Sequence, residues 1–153
     1  GAGLAMRLGE IDANETCLAA YSRPQPQLTL GQALAPHVRA MMDVSDGLLI
    51  DAQRMATASG CRITLRLDAV PLSAALLAVR PDVLDTRLAA TTAGDDYQLL
   101  FAADPDAGAV IRATAEALNI AVTPIGHAGV GEGIVVIDGA QRVALPDRLG
   151  FMH

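Results

Sequence analysis

Lysine is missing from this 153-residue chain, so all eleven of its basic residues are arginine. Neither a phosphate-loop lysine nor a Schiff base can come from this polypeptide. Tryptophan is absent too and aromatics make up 3% of the residues, which leaves few platforms on which bases could stack. A net charge of -6 with scattered arginines opposes a duplex-binding surface, so nucleic acid is not an expected partner. The two cysteines, Cys17 and Cys61, lack the C-x-x-C spacing of a redox or zinc site. They read as reduced thiols of a cytoplasmic protein. No apolar run reaches the roughly 18 to 20 residues that span a bilayer, and no basic leader precedes an apolar stretch. His37, His127 and His153 have no partners at metal-ligand spacing, and no G-x-S-x-G elbow points to a hydrolase.

What the chain has in quantity is aliphatic surface. A hydrophobic content of 52% suffices for one core in one ordinary domain. Apolar periodicity predicts helix over 2–22 (Leu4, Met6, Leu8, Ile11, Leu18, Tyr21), with Asn14 as an internal start signal. Arg23-Pro24-Gln25-Pro26 then forces an extended strap, and a short helix over 31–38 breaks near Pro36. The apolar stretch 40–44 reads as a buried strand that opens through Ser-Asp-Gly into a helix over 48–59, stopped by Gly60. Further strands are expected at 62–67, 97–102 and 121–125, with helices from Pro71, over 83–90 and over 105–118. Asp138-Gly139 between two apolar runs, 134–137 and 141–145, is a hairpin signal. Gly126 to Gly133 does not follow the G-x-G-x-x-G order and reads as a flexible connector. Strands that both alternate with helices and pair in a hairpin predict an α/β (α+β) fold with a mixed sheet packed with helices.

Two acidic turns carry the chemistry. In Met42-Asp43-Val44-Ser45-Asp46-Gly47-Leu48, strand alternation puts Asp43 and Ser45 on one side, and Asp46 and Gly47 lie where the N–H groups of the next helix are unsatisfied. Phosphate oxygens are favoured there, but carboxylates repel them unless a hard cation such as magnesium lies between. The alternative is that Ser45 or Asp46 caps the helix, with Asp51 in the first turn where the dipole favours acids. In Ala93-Gly94-Asp95-Asp96-Tyr97, the acids could hydrogen-bond a cationic or amine-bearing ligand, or form an ordinary solvated turn.

Taken in order, Arg23-Pro24-Gln25-Pro26-Gln27, Asp43-Val44-Ser45-Asp46-Gly47-Leu48, Gly94-Asp95-Asp96-Tyr97-Gln98-Leu99-Leu100-Phe101 and Gly150-Phe151-Met152-His153 make the chain resemble the C-terminal half of the thiamine-monophosphate kinases. That family is similar to the aminoimidazole ribonucleotide synthetases, selenophosphate synthetases and hydrogenase-maturation carbamoyl dehydratases. The resemblance implies Mg2+-assisted transfer of phosphate from ATP to thiamine monophosphate, giving thiamine diphosphate. It implies that Asp43 and Asp46 hold magnesium, that Ser45 touches ATP, and that Asp95 and Phe151 hold the substrate. The family usually has Glu at the position of Asp95 and Trp or Tyr at that of Phe151. The shorter acid and the missing polar handle therefore bear on substrate affinity.

The resemblance further implies residues 1–26 as a helical segment and strap, and residues 27–153 as a C-terminal domain whose N-terminal ATP-binding partner is absent from this chain. Such a piece is expected to be inactive alone and, at full length, to form a homodimer. Two other readings stay open: a related ATP-dependent synthetase, and a non-catalytic binding domain on the same scaffold.

Overall fold

The computed structural model describes residues 2–7, 9 and 14–151. Its elements run α1 (Ala2–Arg7), α2 (Glu15–Ser22), α3 (Leu28–Leu34), β1 (Ala40–Val44), α4 (Leu48–Ser59), β2 (Arg62–Arg66), α5 (Ala74–Leu77), α6 (Leu84–Thr92), β3 (Gln98–Ala102), α7 (Gly108–Ala117), β4 (Gly126–Gly129), β5 (Gly133–Asp138) and β6 (Gln141–Val143). Short 3-10 turns at Ala35–His37, Leu67–Ala69 and Pro105–Ala107 extend or link these elements.

The strands form two sheets. β1 and β3 pair antiparallel over five residues, from Ala40 opposite Ala102 to Val44 opposite Gln98. The second sheet has the order β4-β2-β5-β6. Within it β2 runs parallel to β5 and antiparallel to β4, while β5 and β6 form an antiparallel hairpin. The expected mixed sheet is this four-stranded one. Strand alternation explains its inner face: Ile63 and Leu65 of β2 are buried opposite Ile134 and Val136 of β5, and such cross-strand pairs stabilise a sheet.

Helix α4 closes that face. Leu49, Ala52, Met55 and Ala56 fall on one helical stripe and join Val44, Leu65, Leu67 and Val136 in the main core. Full burial of a side chain such as Leu49 contributes about 1.5–3 kcal/mol, an upper estimate because the unfolded chain is itself partly collapsed. The helix ends at Gly60, whose φ of 58° supplies the left-handed cap that residues with a Cβ adopt reluctantly. A smaller core gathers Leu30 and Leu34 of α3 against Ile111 and Ala115 of α7.

Several expectations need correction. The segment 126–133 is no loose connector throughout, because Gly126–Gly129 is a strand paired with β2. A Cβ on Gly126 would lie 2.0 Å from the carbonyl oxygen of Thr64. The glycine thus permits a close backbone approach that its side-chain pattern could not announce. Residues 121–125, expected as a strand, are irregular in the structure. Helix 2–22 is divided into α1 and α2, and Leu8 and Ile11 of its expected apolar face lie outside the described residues. Asn14 does start α2, accepting the Cys17 N–H at 3.2 Å. Among the described residues no helix is long and apolar enough to cross a membrane, and Cys17 and Cys61 are free thiols.

Candidate functional site

Three chain segments meet where β1 turns into α4. The carbonyl of Val44 accepts the N–H of Tyr97 at 2.8 Å, and that of Ser45 accepts the N–H of Asp95 at 2.8 Å. From the other end of the chain, the N–H of Phe151 donates to the Asp46 carbonyl at 2.8 Å. The two acidic turns and the terminal aromatic, separate in sequence, are thus stitched through backbone hydrogen bonds. Of the five candidate residues, Ser45, Asp46, Asp95 and Phe151 are joined in this junction. Asp43 stands two residues before Ser45, exposed on β1 opposite Leu99.

Glycine makes the closeness possible. A Cβ on Gly94 would sit 2.5 Å from the Ser45 carbonyl oxygen, and one on Gly150 would sit 2.4 Å from that of Asp46. Real side chains do not approach backbone oxygen so closely, so these two positions admit no larger residue without displacing the turn.

The turn is held from within by an acid that sequence reasoning assigned only to helix-dipole duty. Asp51 is fully buried. Its Oδ2 accepts the N–H groups of Ser45 and Asp46, each at 3.1 Å, and its Oδ1 accepts from Arg54 Nη1 at 2.7 Å. The same Arg54 nitrogen donates to Asp46 Oδ2 at 2.5 Å. The hydrogen bond to Asp46, and then that to Asp51, hold the Arg54 guanidinium above its ordinary pKa. The expected cap is also revised. Gly47, with φ of 125°, occupies the N-cap of α4 and no side chain caps it; Asp46 lies one residue and Ser45 two residues before that position. Arg54 was missed altogether. Its signal was present in the i,i+3 spacing from Asp51, which puts both on one side of α4.

Two recesses flank the junction. A cavity of about 490 Å³ is lined by Cys17, Leu30, Leu76, Leu100 and Ile125 together with Asp95 and Asp96. Desolvation raises the Asp96 carboxyl above the ordinary aspartate value, and the adjacent Asp95 charge pushes the same way. Asp96 still retains exposed surface, so water screens both effects. A shallower groove of about 410 Å³ is lined by Asp43 and Tyr97 with Pro26, Leu28, Gly31 and Leu99. Asp43 and Asp95 therefore line different recesses. Tyr97, expected inside the strand, is half-buried just before it in a left-handed conformation with φ of 51°, and Asp95 has φ of 68°. Two such non-glycine residues in one short loop store local strain, which functional loops often carry.

Among the described residues no three His, Cys, Asp or Glu side chains gather as a metal-ligand set. Magnesium keeps several waters and takes one or two protein carboxylates beside phosphate oxygens. The carboxylates this chain could supply are those of Asp43, exposed on β1, and Asp46, whose Oδ2 is engaged by Arg54.

Residues 1–139 match the family described as AIR synthase related protein, C-terminal domain. The thiamine-monophosphate kinase of Caulobacter vibrioides is 38% identical over 99% of this chain and 44% of its own length. That of Escherichia coli K12 is 31% identical over 99% of this chain and 48% of its own. Among solved structures, thiamine-monophosphate kinase from Stenotrophomonas maltophilia K279a superposes with a TM-score of 0.81 at 33% identity, over 92% of this chain and 47% of that one. AaThiL complexed with AMPPCP and TMP gives 0.74 at 26% identity, over 99% of this chain and 47% of that one. The chain spans about half the length of the curated relatives it matches. It belongs to the AIR synthase related protein family, of which it carries the C-terminal domain.

Proposed function

We propose that this chain is the C-terminal part of an enzyme that transfers phosphate from ATP to thiamine monophosphate, yielding thiamine diphosphate and ADP. The observation that carries this reading is the junction itself. Backbone hydrogen bonds draw the Ser45-Asp46 turn, the Asp95 loop and Phe151 into one place. A relative bound to AMPPCP and TMP that superposes over nearly the whole chain supports the same reading.

In this reading Asp43 and Asp46 hold Mg2+, Ser45 donates its hydroxyl to a nucleotide phosphate, and Asp95 with the exposed Phe151 contacts the thiamine moiety. Magnesium, when bound, neutralises phosphate charge that these acids would otherwise repel. Direct attack of one phosphate on another requires no protein nucleophile. The residues accordingly serve to position and to neutralise rather than to form a covalent intermediate. Phe151 offers a ring face to the substrate, and Asp95 a carboxylate to its amine or cationic groups.

The remaining ligands come from an N-terminal ATP-binding domain, so the isolated chain transfers no phosphate. The division at residues 26 and 27, a cytoplasmic location and a full-length homodimer belong to this same proposal. ADP formation with thiamine monophosphate tests it on the full-length polypeptide. Turnover should be lost in Asp46→Ala, and undiminished turnover there would remove the metal role.

A further inference from the structure

Arg54 takes no part in the proposed phosphoryl transfer, yet its guanidinium lies against the carboxylate assigned to the metal. A single nitrogen, Nη1, bridges Asp46 Oδ2 and Asp51 Oδ1. The Asp51 side chain is 0% exposed and that of Asp46 11%, whereas Arg54 keeps 46% of its side-chain surface in solvent. Two carboxylates with so little access to water repel one another unless a cation stands between them. Arg54 is that cation here, and its solvent-facing side chain leaves it room to move.

The two acids are held differently. Asp51 is fastened to the N–H groups of Ser45 and Asp46 through its second oxygen, so its place in the fold does not depend on the arginine alone. A divalent ion binding through Asp46 Oδ2 would, by contrast, meet the guanidinium hydrogen-bonded to that oxygen.

We propose that Arg54 is a placeholder cation, which covers the Asp46 carboxylate in the absence of a divalent ion and withdraws onto Asp51 when one binds. This rests on the reading of Asp46 as a magnesium ligand. Arg54 is thus a positioning residue. It keeps the turn formed without metal, and it weakens metal binding because the ion displaces a charge-assisted hydrogen bond.

The test titrates the full chain with Mn2+, following paramagnetic broadening of the Ser45 to Gly47 amides and total binding by electron spin resonance. Arg54→Gln should bind Mn2+ roughly five- to tenfold more tightly than the parent, the order expected from deleting one competing charge in a partly solvated site. In the unaltered chain, the Arg54 side-chain resonance should shift with added Mg2+ at the same midpoint as those amides, and the shift should vanish in Asp46→Asn. That second measurement decides the matter if Arg54→Gln fails to fold. Equal or weaker Mn2+ binding in Arg54→Gln, even with a lower melting temperature, overturns the placeholder role and leaves only a structural one. An Arg54 resonance indifferent to Mg2+ while the amides respond overturns it as well. If no variant and no parent shows broadening at the turn, the metal reading beneath the proposal falls with it.

Discussion

The buried carboxylate of Asp51 accepts the backbone N–H of Asp46 at 3.1 Å, so the first turn of α4 reaches back to fix the loop that precedes it. With the Ser45 N–H on the same oxygen and Arg54 on the other, Asp51 meets its hydrogen-bonding demand wholly inside the protein. The loop is therefore preorganised by a residue that touches no proposed ligand.

Asp51→Ala should destabilise the chain by about 2–4 kcal/mol, since it strands two N–H groups and leaves Arg54 paired only with Asp46. The half-exposed arginine keeps the loss toward the lower end. Denaturant melts measure it, and a loss within error of zero would show that water replaces the carboxylate.

Gly94→Ala should cost about 1–3 kcal/mol, the usual consequence of overpacking, because the added methyl meets the Ser45 carbonyl oxygen at 2.5 Å. The same change at Gly129, where a Cβ would meet nothing within 4 Å, is the control. Thermal denaturation of the two variants should separate them clearly.

Arg87→Ala should lower stability by about 2–3 kcal/mol through loss of charge-assisted bonds. Its guanidinium grips both oxygens of Asp82 and also donates to the carbonyls of Leu67 and Val70 at 2.7 and 3.0 Å. Two segments on either side of α5 are joined by that one side chain. Asp82→Asn should cost much less, as Asp82 is substantially exposed, and equal losses for the pair would contradict the clamp.

A pH dependence follows from Asp96, whose carboxyl lies above the ordinary aspartate value in the folded chain, chiefly through desolvation. The folded state then binds that proton more tightly than the unfolded state. Its contribution is complete below the ordinary value and is lost as pH rises through the raised one. Asp96→Asn should therefore melt slightly higher than the parent at neutral pH, and the two curves should converge in acid. Melting temperatures between about pH 4 and pH 7 check this, and parallel curves would count against it.

The local grammar was legible in the residues. An apolar run ending in Ser-Asp-Gly marked β1 and α4, whose observed bounds, Ala40–Val44 and Leu48–Ser59, coincide with those read from periodicity. Asn14 and Gly60 act as their chemistry suggested, and the expected hairpin forms with its turn one residue later, at Gly139-Ala140, because capping and hairpin geometry depend on neighbours a few residues away. The Gly126–Gly129 strand was illegible, since its register comes from the backbone of β2 and its side chains carry no apolar alternation.

The sequence by itself determined the inventory: two acidic turns, an aliphatic core, no lysine, and an order of motifs that belongs to one family. Only the tertiary structure decided who meets whom. It set Asp95 against Ser45 and Phe151 against Asp46 across long stretches of chain, put Asp43 and Asp95 in separate recesses, and turned Asp51 inward with Arg54 upon it. The reason is that such contacts depend on how α4 packs between strands and on where glycines let backbones touch. Neither is a property of any short window of residues.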